Sequence, residues 1–383
     1  ERSERRRRAR EAEGCSAAAS GGVGGSYGAQ IRRRSRMSVP ITHENVAQAL
    51  EAEWPGQCSC QAEPLLGSGG QAEVYLGRWH PRGGEARPAA VKVFRMHPGT
   101  TTWFQRELAI SKSLQHPNLV AVYGSISAPL PLIVQEYCAG GSLHDLLHKS
   151  SAATVDAPSL TAALTMEQRL KIALDVARGM VLLHALSPAV VHRDLKSGNV
   201  LLAQPVRSSQ AIPLAKVADF GLARVTKSQG LEADFMTKGA GSLRWMAPEV
   251  INGSDYGLPA DVYSYGSLLF ELLTYSIPFG EDRSLLPQPL ECFVENGGRP
   301  DAGCLGRSIL HMLERFPTWL TSLMRSSWQQ DPASRPGFAE VVQQLMEHGS
   351  DPLVGVAQGA GRAPGGVIQL RLGQRGRWER VMH

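Results

Sequence analysis

The sequence predicts an α+β fold in two lobes, a small strand-rich one followed by a larger helical one. Three observations predict it. Short runs rich in Val, Tyr and Phe, broken by Pro and Gly, fill the first part of the globular region; a capped amphipathic segment opens at Thr165; and residues 260 to 274 are apolar nearly all round.

Taken in order, residues 1 to 40 are rich in Arg, Gly, Ala and Ser, with Gly21, Gly22, Gly24 and Gly25 interrupting any helical period. We expect the extension through residue 60 to lack structure. Residues 61 to 347 read as globular, with a first lobe to about residue 137 and a second from about 138. Glu73-Val74-Tyr75-Leu76 and Ala90-Val91-Lys92-Val93-Phe94 are the clearest strands, separated by turn signals at Pro81 and Gly83-Gly84. Thr165 with Gln168 makes a capping box, and the helix it opens carries the stripe Leu170, Ala173, Leu174, Ala177, Val181. The segment 260 to 274, with Val262, Tyr265, Leu268, Leu269, Phe270, Leu272 and Leu273, should be a buried helix. Polar insertions near residues 149 to 161 and 203 to 210 read as surface loops. From His348 onward Gly, Pro and Arg return, so residues 348 to 383 are expected to form an unstructured tail.

Composition narrows the function classes. The 383 residues, 43% hydrophobic, suffice for a large core, and they contain no run of eighteen apolar residues that would span a membrane. The formal charge of +5 sits in the arms: residues 1 to 40 hold ten Arg against four acidic side chains, and the tail five against two. The globular middle is therefore net acidic, which weakens a nucleic-acid reading and leaves the Arg runs as solvated arms. Cys15, Cys58, Cys60, Cys138, Cys292 and Cys304 are scattered without a zinc-ligand pattern, so free thiols in a reducing compartment, the cytoplasm or the nucleus, are expected. The chain begins at Glu1 rather than Met, which admits an upstream segment.

Chemistry concentrates in five places. Leu66-Gly67-Ser68-Gly69-Gly70-Gln71-Ala72-Glu73-Val74 is a Gly-rich turn between strands, where absent side chains let backbone N–H groups approach phosphate oxygens. Lys92 places a charge inside an apolar strand, on one face with Ala90 and Phe94. Val191-His192-Arg193-Asp194-Leu195-Lys196-Ser197-Gly198-Asn199 packs Asp, Lys and Asn into a short loop before the apolar Val200-Leu201-Leu202. Asp219-Phe220-Gly221 follows twenty residues beyond Asn199, and Ala247-Pro248-Glu249 twenty-eight beyond that. A phosphate cradle, cations for developing charge and a group to orient a hydroxyl are the parts that phosphoryl transfer needs.

In this order the five motifs resemble the eukaryotic protein kinases over about residues 61 to 347. The resemblance implies the two-lobed kinase fold and carries roles over from the family. Lys92 would hold the α- and β-phosphates of ATP and pair with Glu107 in the helical stretch 104 to 114. Asp194 would orient or accept the hydroxyl proton, Lys196 contact the γ-phosphate, and Asn199 and Asp219 hold Mg²⁺. The segment from Leu66 to Ala72 would cover the phosphates; Glu136 through its carbonyl and Cys138 through its amide would bond adenine, with Val74, Ala90 and Leu201 around the ring. His192 and Phe220 would stack, Glu249 would pair with Arg335, and Asp261 would anchor the catalytic loop.

Lys196 inside Asp194-Leu195-Lys196-Ser197-Gly198-Asn199 is similar to serine/threonine enzymes, while Gly241-Ser242-Leu243-Arg244-Trp245-Met246-Ala247-Pro248-Glu249, Gly298-Arg299-Pro300 and Trp328 resemble the tyrosine-kinase-like group. The implied activity is phosphorylation of serine or threonine on protein substrates; a dual-specificity kinase and a pseudokinase scaffold are the alternatives. Three departures stand out. Ala72 replaces a glycine, Ser111 replaces an apolar residue four positions after Glu107 and is expected to weaken the active alignment, and Gln135 precedes the hinge. Arg193 beside Asp194 implies control by phosphorylation at Thr226, Ser228 or Thr237 through an upstream kinase, and Ser38 in its basic context is a candidate for a phosphopeptide adaptor.

Overall fold

Four of the five strands of an antiparallel sheet are rich in β-branched or aromatic residues. Its strands are β1 (Cys58–Ser68), β2 (Ala72–Trp79), β3 (Arg87–Phe94), β4 (Val122–Ile126) and β5 (Leu132–Glu136), in the order β1-β2-β3-β5-β4. The computed structural model of the chain describes residues 41–69, 71–96, 100–112, 114–149, 164–226, 242–254, 256–280, 289–301 and 306–348, and the strands at 369–372 and 378–381. Register fixes which side chains share a face, because directly opposed residues point the same way. Val74, Lys92 and Ile133 form one row and Leu76, Ala90 and Gln135 the next. Val91 and Val93, fully buried, face the opposite side.

That opposite side is covered by a helix, α1 (His43–Glu53), inside the stretch expected to lack structure. The expectation fails here for a physical reason. Thr42 in extended conformation accepts the Asn45 N–H as an N-cap, and Val46 and Leu50, one turn apart, are wholly buried against Tyr75, Val91 and Val93. Burial of two such side chains contributes roughly 1.5–3 kcal/mol each. Trp54, just past the helix, meets Trp79 edge-on with ring centroids 5.2 Å apart. Gly124 makes that possible: a Cβ there would stand 2.6 Å from the Trp54 ring. On the Lys92 face, α2 (Thr100–Ser111) docks through Phe104 against Phe94 and Ile133.

The second lobe is helical. α3 (Met166–Ala185) opens with the Thr165–Gln168 capping box, both reciprocal hydrogen bonds being formed. α4 (Pro248–Ile251) precedes α5 (Leu258–Thr274), in which every residue from Ala260 to Thr274 is buried. α6 (Leu290–Glu295), α7 (Gly306–Leu313), α8 (Thr318–Ser327) and α9 (Phe338–His348) complete the lobe. Two short ribbons, β6 (Val190–Val191) with β9 (Arg224–Val225) and β7 (Val200–Leu202) with β8 (Ala215–Val217), lie between α3 and α4 in sequence and flank the polar motifs. The loop between β7 and β8 is less free than its composition suggests, since the Gln168 amide donates to the carbonyls of Ser208 and Ala211. Most of the other insertion lies outside the described residues. The tail departs from expectation too: β10 (Gln369–Leu372), with apolar residues at Leu370 and Leu372, pairs antiparallel with β11 (Trp378–Val381).

Candidate active site

The polar motifs assemble into two clusters, and each begins with a local feature of the backbone. In one, Lys92 projects from the middle of β3 and its Nζ donates to Glu107 Oε1 at 2.8 Å and Oε2 at 2.9 Å, and to Asp219 Oδ1 at 3.0 Å. Glu107 is 3% exposed, whereas the Asp219 side chain is 44% exposed. Burial pushes the Glu107 carboxyl up to about 7, even with Lys92 opposing it. Burial presses the Lys92 ammonium the other way, but the charges of Asp219 and Glu107 outweigh it and hold its pKa above the usual range. For Asp219 burial alone would raise the pKa; Lys92 and the Gly221 N–H override it, so the carboxyl lies below the ordinary range. Asp219 also sits at φ 64°, a left-handed conformation unfavourable for a residue with a Cβ and therefore maintained by its surroundings.

Those surroundings include a stack. The His192 ring lies 5.4 Å from Phe220, its Nε2–H donates to the Ala218 carbonyl at 3.1 Å, and its Nδ1 accepts the Asp194 N–H at 3.3 Å. Both ring nitrogens are thus committed, which makes His192 a packing and positioning element rather than a proton carrier.

In the other cluster Lys196 Nζ reaches Asp194 Oδ2 at 2.8 Å and Oδ1 at 3.0 Å, and Ser242 Oγ at 2.8 Å. The Asn199 amide donates to the Asp194 carbonyl at 2.7 Å and to its Oδ2 at 2.9 Å. The loop hangs from α5: Asp261, fully buried, accepts the backbone N–H groups of His192 and Arg193, both at 2.8 Å, and His184 Nε2 at 2.9 Å. Arg193 takes φ 71° at this point, with its guanidinium 4.9 Å over the Tyr256 ring. Glu249 and Arg335 form a buried two-bond ion pair at 2.6 and 2.9 Å.

A small apolar cluster accompanies them. Val120, Cys138 and Ala218 are buried together with Leu201 packed on them, and the Ala90 and Gln135 positions are opposed in the sheet above. Val74 is half-buried, and Leu66, Gly67, Ser68, Gly69 and Gln71 are exposed. Gly69 N–H donates to the Ala72 carbonyl at 3.0 Å, closing the turn; Gly70 lies outside the described residues. Ala72 is buried opposite Phe94 at the start of β2, so its methyl belongs to the sheet. Gln135 is half-buried. The Ser111 hydroxyl, buried, donates to the Glu107 carbonyl at 2.5 Å one turn back, while the Glu107 carboxylate pairs with Lys92.

Sequence reasoning missed Lys216, which is buried in β8 and bonds the Glu136 carboxylate at 3.0 Å. The signal was present, for Lys216 is a charge in an apolar strand just as Lys92 is. Thr226 is exposed; Ser228, Thr237 and Ser38 lie outside the described residues.

A two-lobed arrangement with these clusters defines a protein kinase domain. The family model "Protein tyrosine and serine/threonine kinase" matches residues 60–345, and the chain belongs to that family, in its tyrosine-kinase-like group. It is 34% identical over 286 residues to serine/threonine-protein kinase STY17 of Arabidopsis thaliana, covering 74% of this chain and 44% of that protein. To serine/threonine-protein kinase TNNI3K of Mus musculus it is 35% identical over 310 residues, 78% of this chain and 33% of the relative. To the probable serine/threonine-protein kinase pats1 of Dictyostelium discoideum it is 33% identical over 300 residues, 74% and 8% respectively. The chain thus spans less than half the length of these relatives. Among the described residues no helix is long and apolar enough to cross a membrane.

Proposed function

We propose that the chain transfers the γ-phosphoryl group of ATP to serine or threonine hydroxyls of protein substrates. The observation that carries this reading is Lys92 bonded at once to both oxygens of Glu107 and to Asp219, which ties α2 to the end of β8. An ammonium held there meets the α- and β-phosphates, with Leu66, Gly67, Ser68, Gly69, Gly70, Gln71 and Ala72 above them. Val74, Ala90 and Leu201 would enclose adenine, and the Glu136 carbonyl and Cys138 amide would bond its edge.

The donor set also fits a hard cation. Asp219 offers a half-exposed carboxylate, and the amide nitrogen of Asn199 is committed to Asp194, which leaves the amide oxygen as its ligand atom. Among the described residues no group of three or more His, Cys, Asp or Glu could hold a metal ion, as expected for one that shares its shell with substrate phosphates and water. Mg²⁺ bound there supplies neutralisation of phosphate charge. The substrate hydroxyl, oriented by Asp194, attacks the γ-phosphorus; its O–P bond forms as the bond to the β-phosphate oxygen breaks and ADP leaves, and the hydroxyl proton passes to Asp194. Lys196, already beside Asp194, stabilises charge on the transferring group.

The serine/threonine preference is supported by Lys196 and by the names of the relatives. Control through Thr226, Ser228 or Thr237 belongs to the same proposal, since a phosphate there would find Arg193 beside the catalytic Asp. So do a Ser38 adaptor and residence in the cytoplasm or nucleus, where Cys58, Cys60, Cys138 and Cys292 persist as free thiols. The test is transfer of labelled phosphate from Mg·ATP to a generic protein substrate, with phosphoamino-acid analysis, before and after phosphatase treatment. We expect phosphoserine and phosphothreonine, loss of about 10²-fold or more in Asp219→Asn, and a lag after phosphatase. Unchanged activity in Asp219→Asn overturns the mechanism, phosphotyrosine as main product overturns the specificity, and full initial activity after phosphatase overturns the control.

A further inference from the structure

Arg95 lies just beyond β3, outside every motif the family reading uses, yet it touches both ends of the Gly-rich turn and the start of α2. Its backbone N–H donates to the Gln71 carbonyl at 2.8 Å. Its Nη2 donates to Ser68 Oγ at 3.0 Å and to Glu73 Oε1 at 2.7 Å, the other Glu73 oxygen accepting the Tyr75 hydroxyl at 2.8 Å. Its carbonyl accepts the hydroxyl of Thr100, a buried residue that opens α2, at 2.6 Å. One residue therefore joins the turn's descending strand, its ascending strand and the helix that carries Glu107.

The register shows from which side it does so. Ser68 is opposed to Glu73 and Glu73 to Val93, which places this row on the face opposite Lys92 and Val74. Arg95 holds the turn from outside, away from any nucleotide beneath it. We infer that Arg95 is a positioning residue that presets the Gly-rich turn and couples it to α2, and so to the Lys92–Glu107 pair. This rests on the reading of the turn as the phosphate cover. The physical reason is conformational entropy: the turn contains Gly67, Gly69 and Gly70, and an untethered turn must be ordered each time nucleotide binds. A guanidinium can bridge Ser68 and Glu73 at once because one Nη carries two hydrogens. The bonds to a charged partner, 38% exposed at Arg95 and 19% at Glu73, are partly screened but not lost to water.

The variants are Arg95→Met, which keeps the stem and removes the charge, and Arg95→Lys, which keeps the charge. Steady-state kinetics and backbone hydrogen exchange of the full chain, the latter without nucleotide, are the measurements. We expect Arg95→Met to raise KM for Mg·ATP about tenfold, the equivalent of one charge-assisted hydrogen bond, with kcat within about threefold. Exchange should quicken at residues 66 to 73 and in the first turn of α2, with α5 unaffected. Arg95→Lys should recover much of the KM. An unchanged KM, a Lys variant no better than Met, or quickened exchange spread evenly over the chain each overturns the inference. If the wild-type chain fails to bind Mg·ATP, the active-site reading falls instead, and exchange in the turn still decides whether Arg95 tethers it.

Discussion

The two polar clusters are held by different means. The loop of Asp194, Lys196 and Asn199 hangs from Asp261 on α5, a helix buried on all sides, through the backbone N–H groups of His192 and Arg193, and His184 of α3 bonds the same carboxylate. Lys92, Glu107 and Asp219 are assembled from three elements: a strand, a helix docked mainly through Phe104, and a residue in left-handed backbone. The first cluster is a fixture of the core. The second is an agreement between parts drawn from separate elements. On the proposed reading, a chain built this way holds Asp194 and Lys196 in place and leaves Lys92 as the point of control.

The largest effect should come from breaking the fixture. Asp261→Ala leaves the His192 and Arg193 N–H groups and the His184 ring without their acceptor in a fully buried place, which costs about 3–5 kcal/mol. Chemical denaturation should show that loss, with phosphoryl transfer falling alongside. A variant with wild-type stability would mean that the catalytic loop does not depend on α5.

The second cluster should respond to pH instead. Glu107 has its pKa raised to about 7, so its protonated form accumulates as pH falls through that value and the Lys92 pair loses its charge. We expect kcat/KM for Mg·ATP to show an acid limb with a midpoint near 7, and Glu107→Gln to flatten it at a lower plateau. The linkage to folding has the opposite sign. Between the ordinary Glu value and about 7 the native state binds a proton that the unfolded chain has released, so this group's contribution to stability is lost as pH rises through that window. Activity and stability should therefore run in opposite directions there, a divergence that a pH series of melts and rates would expose.

The difference between the clusters also decides what could be read in the sequence. The strand parity that aligns Ala90, Lys92 and Phe94 follows from period 2, and the register with Val74 and Ile133 bears it out. The buried α5 was legible because its apolar residues cover every angle of the helix. By contrast α1 offers only Val46 and Leu50 in eleven residues, next to Arg- and Gly-rich chain, and its reason to form is a sheet face and a gap at Gly124 contributed from seventy residues away. Composition cannot show a surface that other segments create. The left-handed Asp219 and Arg193 were invisible for a related reason: their conformations are imposed by the His192–Phe220 stack and by Asp261, not by their own preferences. Lys216 was legible and was overlooked.

Ser111 gives the smallest expected effect and the sharpest test of how far the second cluster depends on its own helix. A hydroxyl on the buried side of α2 reads as a flaw when only residue types are compared. In the structure it bonds back to the Glu107 carbonyl, so no polar group is left unsatisfied, and the carboxylate of the same residue reaches Lys92 at 2.8 Å. Replacement by Ala removes one local bond but substitutes a better helix former, and the two changes oppose each other at about 0.5–1 kcal/mol apiece. Ser111→Ala should therefore leave stability within about 1 kcal/mol and KM for Mg·ATP within about twofold. Ser111→Leu, by contrast, forces about two further heavy atoms into a place only 3% exposed, and overpacking of that kind costs about 1–3 kcal/mol. If Leu instead raised the rate without loss of stability, the alignment of α2 would be limited by Ser111 after all, and the second cluster would be poised below its optimum by the helix itself rather than by the contacts of Arg95 and Asp219 around it.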